Sequence, residues 1–135
     1  MKARYLLDTN IVIYIRTRRH QKALQRLSMH SHGEAVFSVI SHGELLCGCH
    51  KSIHPAQSLA VLESIIQFVP VMPLPETTAK HYGAVRAELE RRGERIGNND
   101  LWIAAHALAA GLILVTNNER EFQRVPGLQI ENWTK

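Results

Sequence analysis

The chain has 135 residues, 45% hydrophobic and 21% charged, with 16 Lys and Arg against 12 Asp and Glu for a formal charge of +4. That length suits one compact domain over residues 1–135, able to bury roughly 70% of its unfolded surface, and the composition argues against disorder or a repeat architecture. No apolar run approaches the roughly 18 residues that span a bilayer, Asp8 interrupts the apolar stretch behind the basic start, and Cys47 and Cys49 are too close for an ordinary disulfide, so a cytoplasmic protein with reduced thiols and no membrane contact is expected.

Arg4 to Leu7 reads as a short buried strand that delivers Asp8 to the start of a helix running through Asn10 to Ile15. Ala35 to Ile40 is a β-branched strand, followed by a helix from Ser41 to His50 with Glu44 on its first turn. Helical spacing of Leu59, Leu62, Ile65 and Ile66 predicts a helix over 58–68, which leads into a third strand at Val69 to Met72. A longer helix from Thr77 to Arg92 stops at Gly93. The next, Leu101 to Ala110, is apolar nearly all round, as a central helix packed on several sides would be. A strand at Leu112 to Thr116, a short helix at Glu119 to Arg124 and a strand at Leu128 to Ile130 complete the order. Strands alternating with helices imply an α/β fold, a short central parallel sheet covered by helices on both faces, whose ligand crevice lies beyond the strand C-termini.

Asp8 and Asp100 are the only aspartates in the chain, and both fall at helix starts. Each acid has an ordinary explanation by itself. Asp8 would cap a helix, Ser41-x-x-Glu44 has the form of a capping box, and Asp100 in a first turn suits the helix dipole. Capping does not require both aspartates to fall at converging helix starts, whereas a shared pocket does. Carboxylates gathered without a cation repel one another, so such a cluster implies a hard divalent metal. The basic residues also cluster, at Arg16, Arg18, Arg19 and Lys22 and again at Arg86, Arg91, Arg92 and Arg95. They are either solvated helix faces or a surface for nucleic acid.

Asp8-Thr9-Asn10, the Glu44-Leu45 helix, Asn99-Asp100-Leu101-Trp102-Ile103-Ala104-Ala105 and Thr116-Asn117-Asn118-Glu119-Arg120-Glu121-Phe122 resemble, in order and spacing, the PIN-domain ribonuclease toxins called VapC. The resemblance implies a PIN-like fold and a Mg²⁺- or Mn²⁺-dependent endoribonuclease acting on structured RNA, tRNA above all. It also implies a cognate VapB-type antitoxin, a homodimeric toxin and a larger toxin-antitoxin complex. Asp8, Glu44 and Asp100 match the family's metal-binding acids. Asn118 stands where many relatives carry an aspartate. Glu121 matches an acid that some of them have, and Glu119 is a possible substitute. Thr9, Ser38 and Thr116 resemble positions that hold water or orient the acids.

Three other readings compete. A PIN-like domain that binds RNA or protein without cutting is kept open by Asn118. Cys47, Cys49, His50 and His54 suggest zinc, although Pro55 disfavours pairing the two histidines across one helical turn. A Ser-His-Asp hydrolase can be assembled from Ser38 or Ser41, His42 and Asp8, but the Gly-x-Ser-x-Gly elbow is missing. His106, Trp102 and Trp133 read first as packing residues.

Overall fold

The computed structural model describes residues 2–135. Its five strands are β1 (Tyr5–Leu7), β2 (Ala35–Ser38), β3 (Val71–Met72), β4 (Ile113–Val115) and β5 (Ile130–Glu131). They pair in the order β3-β2-β1-β4-β5, all parallel. Each connection therefore crosses over through helix. The helices are α1 (Thr9–Thr17), α2 (Gln21–Ser28), α3 (Val39–Lys51), α4 (Pro55–Phe68), α5 (Thr78–Arg92), α6 (Asn98–Ala110) and the single turn α7 (Glu119–Phe122). Among the described residues no helix is long and apolar enough to cross a membrane.

Strand pleating sorts the core into two layers, because successive side chains point to opposite faces. Tyr5, Leu7, Ala35, Phe37 and Val115 pack with α1 to α4 on one face, while Leu6, Val36 and Leu114 pack with α5, α6 and Phe122 on the other. Both faces are covered, as the near-continuous apolar runs predict for a parallel sheet. Gly93 and Gly111 end α5 and α6 with left-handed backbone, at φ 70° and 66°, where a side chain would be strained. Helix α6 is buried nearly all round through Leu101, Ile103, Ala104, Ala105, His106 and Ala107.

Several boundaries differ from the sequence expectation, each for a local reason. Helix α2 has no counterpart among the elements expected from sequence, since only Ala23 and Leu27 of its eight residues are buried and the apolar periodicity is thin. Helix α3 begins at Val39 rather than Ser41, because Ser38 Oγ accepts the Ile40 N–H and caps it. The expected box between Ser41 and Glu44 does not form. Helix α4 starts at Pro55, a residue preorganised for a first helical position, and His54 precedes it as the N-cap, so His50 on α3 and His54 do not share a helix. Helix α6 starts at Asn98, three residues before the expected Leu101.

Candidate active site

Parallel register brings three strand ends into one row. Leu7 pairs with Phe37 on one side and Val115 on the other, so Ser38, Asp8 and Thr116 follow side by side at the C-terminal edge of β2, β1 and β4. Asp8 N–H donates to the Val115 carbonyl at 2.9 Å, extending the ladder by one bond. Its carboxylate then turns into α1, where Oδ1 accepts the Ile11 N–H at 2.9 Å. The expected cap therefore forms.

Asp8 is only 4% exposed. Burial pushes its carboxyl up to about 6; hydrogen bonds from the Thr116 side chain and the Ile11 N–H oppose the rise, and the charges of Asp100 and Glu44 add to it. The half-buried Asp100 carboxyl is also raised, first by burial and then by Glu121 and Glu44. Four carboxylates from β1, α3, α6 and α7 thus share one electrostatic environment. Among the described residues none of them has a Lys, Arg or His nitrogen within salt-bridge distance, whereas Glu34, Glu88, Glu90, Glu94, Glu119 and Glu131 all do. Negative charge is concentrated here without a protein counter-charge.

Neutral side chains hold the outer acids. Glu44 is exposed; its Oε1 accepts Thr9 Oγ1 at 2.6 Å and its Oε2 accepts Asn99 Nδ2 at 3.3 Å. Thr9 Oγ1 also lies 2.9 Å from Ser41 Oγ, which ties the start of α1 to the first turns of α3. Glu121 Oε2 accepts Asn118 Nδ2 at 3.0 Å, and the Asn118 N–H donates to Thr116 Oγ1 at 2.9 Å. The amide at 118 therefore orients Glu121. Glu119 is a correction: it faces the C-terminal segment, bound by Asn132 Nδ2 at 3.0 Å and Lys135 Nζ at 2.8 Å, and cannot stand in for the fourth acid. One turn of helix points side chains two residues apart in different directions.

Sequence reading assigned no role to Asn99, although it adjoins Asp100; its grip on Glu44 becomes visible only once α3 and α6 meet. His106 is fully buried, with Nδ1 2.9 Å from Ser38 Oγ, so it packs α6 against the start of α3. Burial holds its imidazole down to about 4 and hence neutral. That contact occupies Ser38, and Thr9 Oγ1 contacts Ser41, so both serines of the supposed hydrolase triad are already engaged. Cys49 is buried while Cys47 is exposed, which separates the two thiols of the zinc reading.

Among the described residues no three His, Cys, Asp or Glu side chains already stand in an ion-holding arrangement. The donor set nevertheless fits a hard cation in kind and in charge, being all carboxylate oxygen with no competing cation. Asp8 is fixed by the cap. Ligation by the others requires rotation of Glu44, Asp100 or Glu121, of which Glu44 is already exposed.

A parallel sheet with an acidic row at its C-terminal edge defines a class, and the family model described as the PIN domain matches residues 5–128. Ribonuclease VapC of Haemophilus influenzae is 44% identical over 130 residues, covering 96% of this chain and 98% of that one. The tRNA(fMet)-specific endonuclease VapC of Shigella flexneri is 39% identical over 131 residues, covering 97% and 98%. In the solved structure of DNA-bound VapBC from Salmonella typhimurium, one chain superimposes with a TM-score of 0.91 at 38% identity, covering 97% and 98%. The chain belongs to the VapC family of PIN-domain ribonucleases.

Proposed function

We propose that this protein is the toxin of a VapBC-type toxin-antitoxin pair, an endoribonuclease that uses Mg²⁺ or Mn²⁺ to cut structured RNA, with tRNA as the substrate class. The observation that carries the reading is the uncompensated acid group of Asp8, Glu44, Asp100 and Glu121 at the strand ends of a VapC-family fold. The tRNA assignment is supported by the Shigella relative, and the antitoxin by the neighbouring VapBC complex. The toxin works in the cytoplasm as a homodimer, within a larger complex when its VapB-type antitoxin is bound.

Asp8 and Asp100 would hold the cation, with Glu44 reaching it directly or through water and Glu121 beside them. When bound, the cation supplies Lewis acidity toward the scissile phosphate and lowers the pKa of water. Glu44, positioned by Thr9 and Asn99, accepts a proton from the attacking water. The water oxygen bonds to phosphorus as the P–O3′ bond breaks, and O3′ takes its proton from solvent. The products carry a 5′-phosphate and a 3′-hydroxyl.

Purified protein incubated with an initiator-tRNA transcript should cleave it with Mg²⁺ or Mn²⁺ and leave it intact with chelator, and Asp100→Asn should lose the activity. Ends bearing a 2′,3′-cyclic phosphate would identify the ribose hydroxyl as nucleophile and overturn the mechanism. A binding-only domain would retain RNA without cutting it. Glu119→Gln and Glu121→Gln form a matched pair: the first should cleave within about twofold of wild type, while the second should slow the reaction by about tenfold or more. Equal effects would remove Glu121 from the site.

A further inference from the structure

A second recess lies against the first turn of α6, on the side facing α5. It is a cleft of about 210 Å³ in which the largely buried Leu89, Ile96 and Leu101 form an apolar floor and Arg86, Glu90, Arg95 and Asn98 supply polar atoms. Asn98 and Leu101 flank Asp100 in sequence, so the cleft and the acid group are both built on the first turn of α6, although no acid of that group lines the cleft.

Its polar groups are already oriented. The Arg86 guanidinium donates through Nε to Glu90 at 2.8 Å and through Nη1 to the Tyr82 hydroxyl at 2.8 Å. Tyr82 in turn donates to Asn98 Oδ1 and stacks on Trp102 with ring centroids 3.8 Å apart. Because the tyrosine proton occupies Asn98 Oδ1, the amide presents its Nδ2 donors. Arg86 keeps Nη2 free among the described hydrogen bonds. Arg95 is 77% exposed and reaches the same Glu90 oxygen only at 3.8 Å, so two guanidiniums share one carboxylate and positive charge remains at the cleft. The Arg95 carbonyl accepts Arg124 Nη1 at 3.0 Å, which fixes the backbone from which this side chain extends.

We infer that this cleft is a nucleotide subsite for the RNA substrate, seating the residue next to the cut: a flanking phosphate on Arg86 and Arg95, the base against Leu89, Ile96 and Leu101, and an acceptor edge of that base at Asn98 Nδ2. Acidic row and basic cleft then divide the work. The row carries the chemistry and the cleft positions the strand, with phosphate contacts setting affinity and the amide contributing base choice. This inference rests on the ribonuclease reading above.

Arg95→Ala is the direct test, since an exposed arginine can be removed without disturbing the core. Cleavage of the initiator-tRNA transcript should show KM raised about tenfold with kcat within about twofold, the signature of lost substrate binding. The salt dependence of log Kd, measured with chelator present, should flatten by about one phosphate contact, and Arg95→Lys should restore that slope. The melting temperature should match wild type. If wild type cleaves the transcript and Arg95→Ala matches it in KM and salt slope, the subsite is wrong while the ribonuclease reading stands. If wild type neither binds nor cleaves the transcript with Mg²⁺ or Mn²⁺, both fall together.

Discussion

Asn in place of Asp8 is expected to abolish RNA cleavage and, in cation-free protein at pH 7.5, to raise the melting temperature. Asparagine keeps an oxygen that can accept the Ile11 N–H, so the α1 cap survives. What disappears is a buried negative charge that lacks a protein counter-charge. Asp8 titrates at about 6 when folded and near 3.8 as an unperturbed carboxyl. Between those values the native chain binds more protons than the unfolded one, so stability falls as pH rises from about 4 to about 6 and stays reduced above. The difference corresponds to about 3 kcal/mol of destabilisation at neutral pH, an order-of-magnitude figure. Removing it should raise the melting temperature by roughly 10 °C in a domain of this size. The cleavage loss should exceed the roughly 10- to 100-fold typical of groups that only orient ligands. Thermal melts between pH 4 and 8 with chelator present, run beside cleavage assays, test both halves. A variant that melts like wild type at pH 7.5 and keeps its rate would show that Asp8 serves only as a cap, which asparagine preserves.

Trp133→Ala should give the largest loss of stability of any substitution considered, about 3–5 kcal/mol. Trp133, with only Thr134 and Lys135 after it, is 0% exposed. Its ring stacks on His30 at 5.4 Å between centroids and meets Tyr5 edge-on at 5.2 Å, while Nε1 donates to Glu131 at 3.0 Å. Glu131 also pairs with Arg26 of α2. Removing the indole opens a cavity between β1 and α2 and loosens β5, the edge strand that receives the Thr116 N–H. Urea denaturation followed by circular dichroism measures the change, and a cost below about 1 kcal/mol would mean that the C-terminal segment is dispensable to the fold.

Much of the fold was legible because parallel strands buried on both faces leave an unmistakable trace. Leu6-Leu7, Val36-Phe37 and Leu114-Val115 are short apolar runs bounded by turns or helix starts, and each became a strand. Helix α6 was equally plain, being apolar on every side. Boundaries were less visible where β-branched residues continue into a helix: Val39 and Ile40 suit a strand by propensity, yet the cap at Ser38 turns them into the first turn of α3. Helix α2 leaves little trace in the sequence because most of its surface faces solvent.

By itself, the sequence determined the order of elements, the placement of Asp8 and Asp100 at helix starts, and the excess of arginine on α5 and its following loop. Those are local properties, set by side-chain periodicity and by the chemistry of helix termini. Which acids share an environment was decided only by the tertiary structure, through the register that aligns Ser38, Asp8 and Thr116 and through the packing of α3 and α6 around them. Glu121 comes under Asn118 and beside Asp100, while Glu119, two residues earlier, is drawn to Asn132 and Lys135. A one-turn helix turns neighbouring side chains in different directions, and only the surrounding strands and helices determine which direction is the cleft.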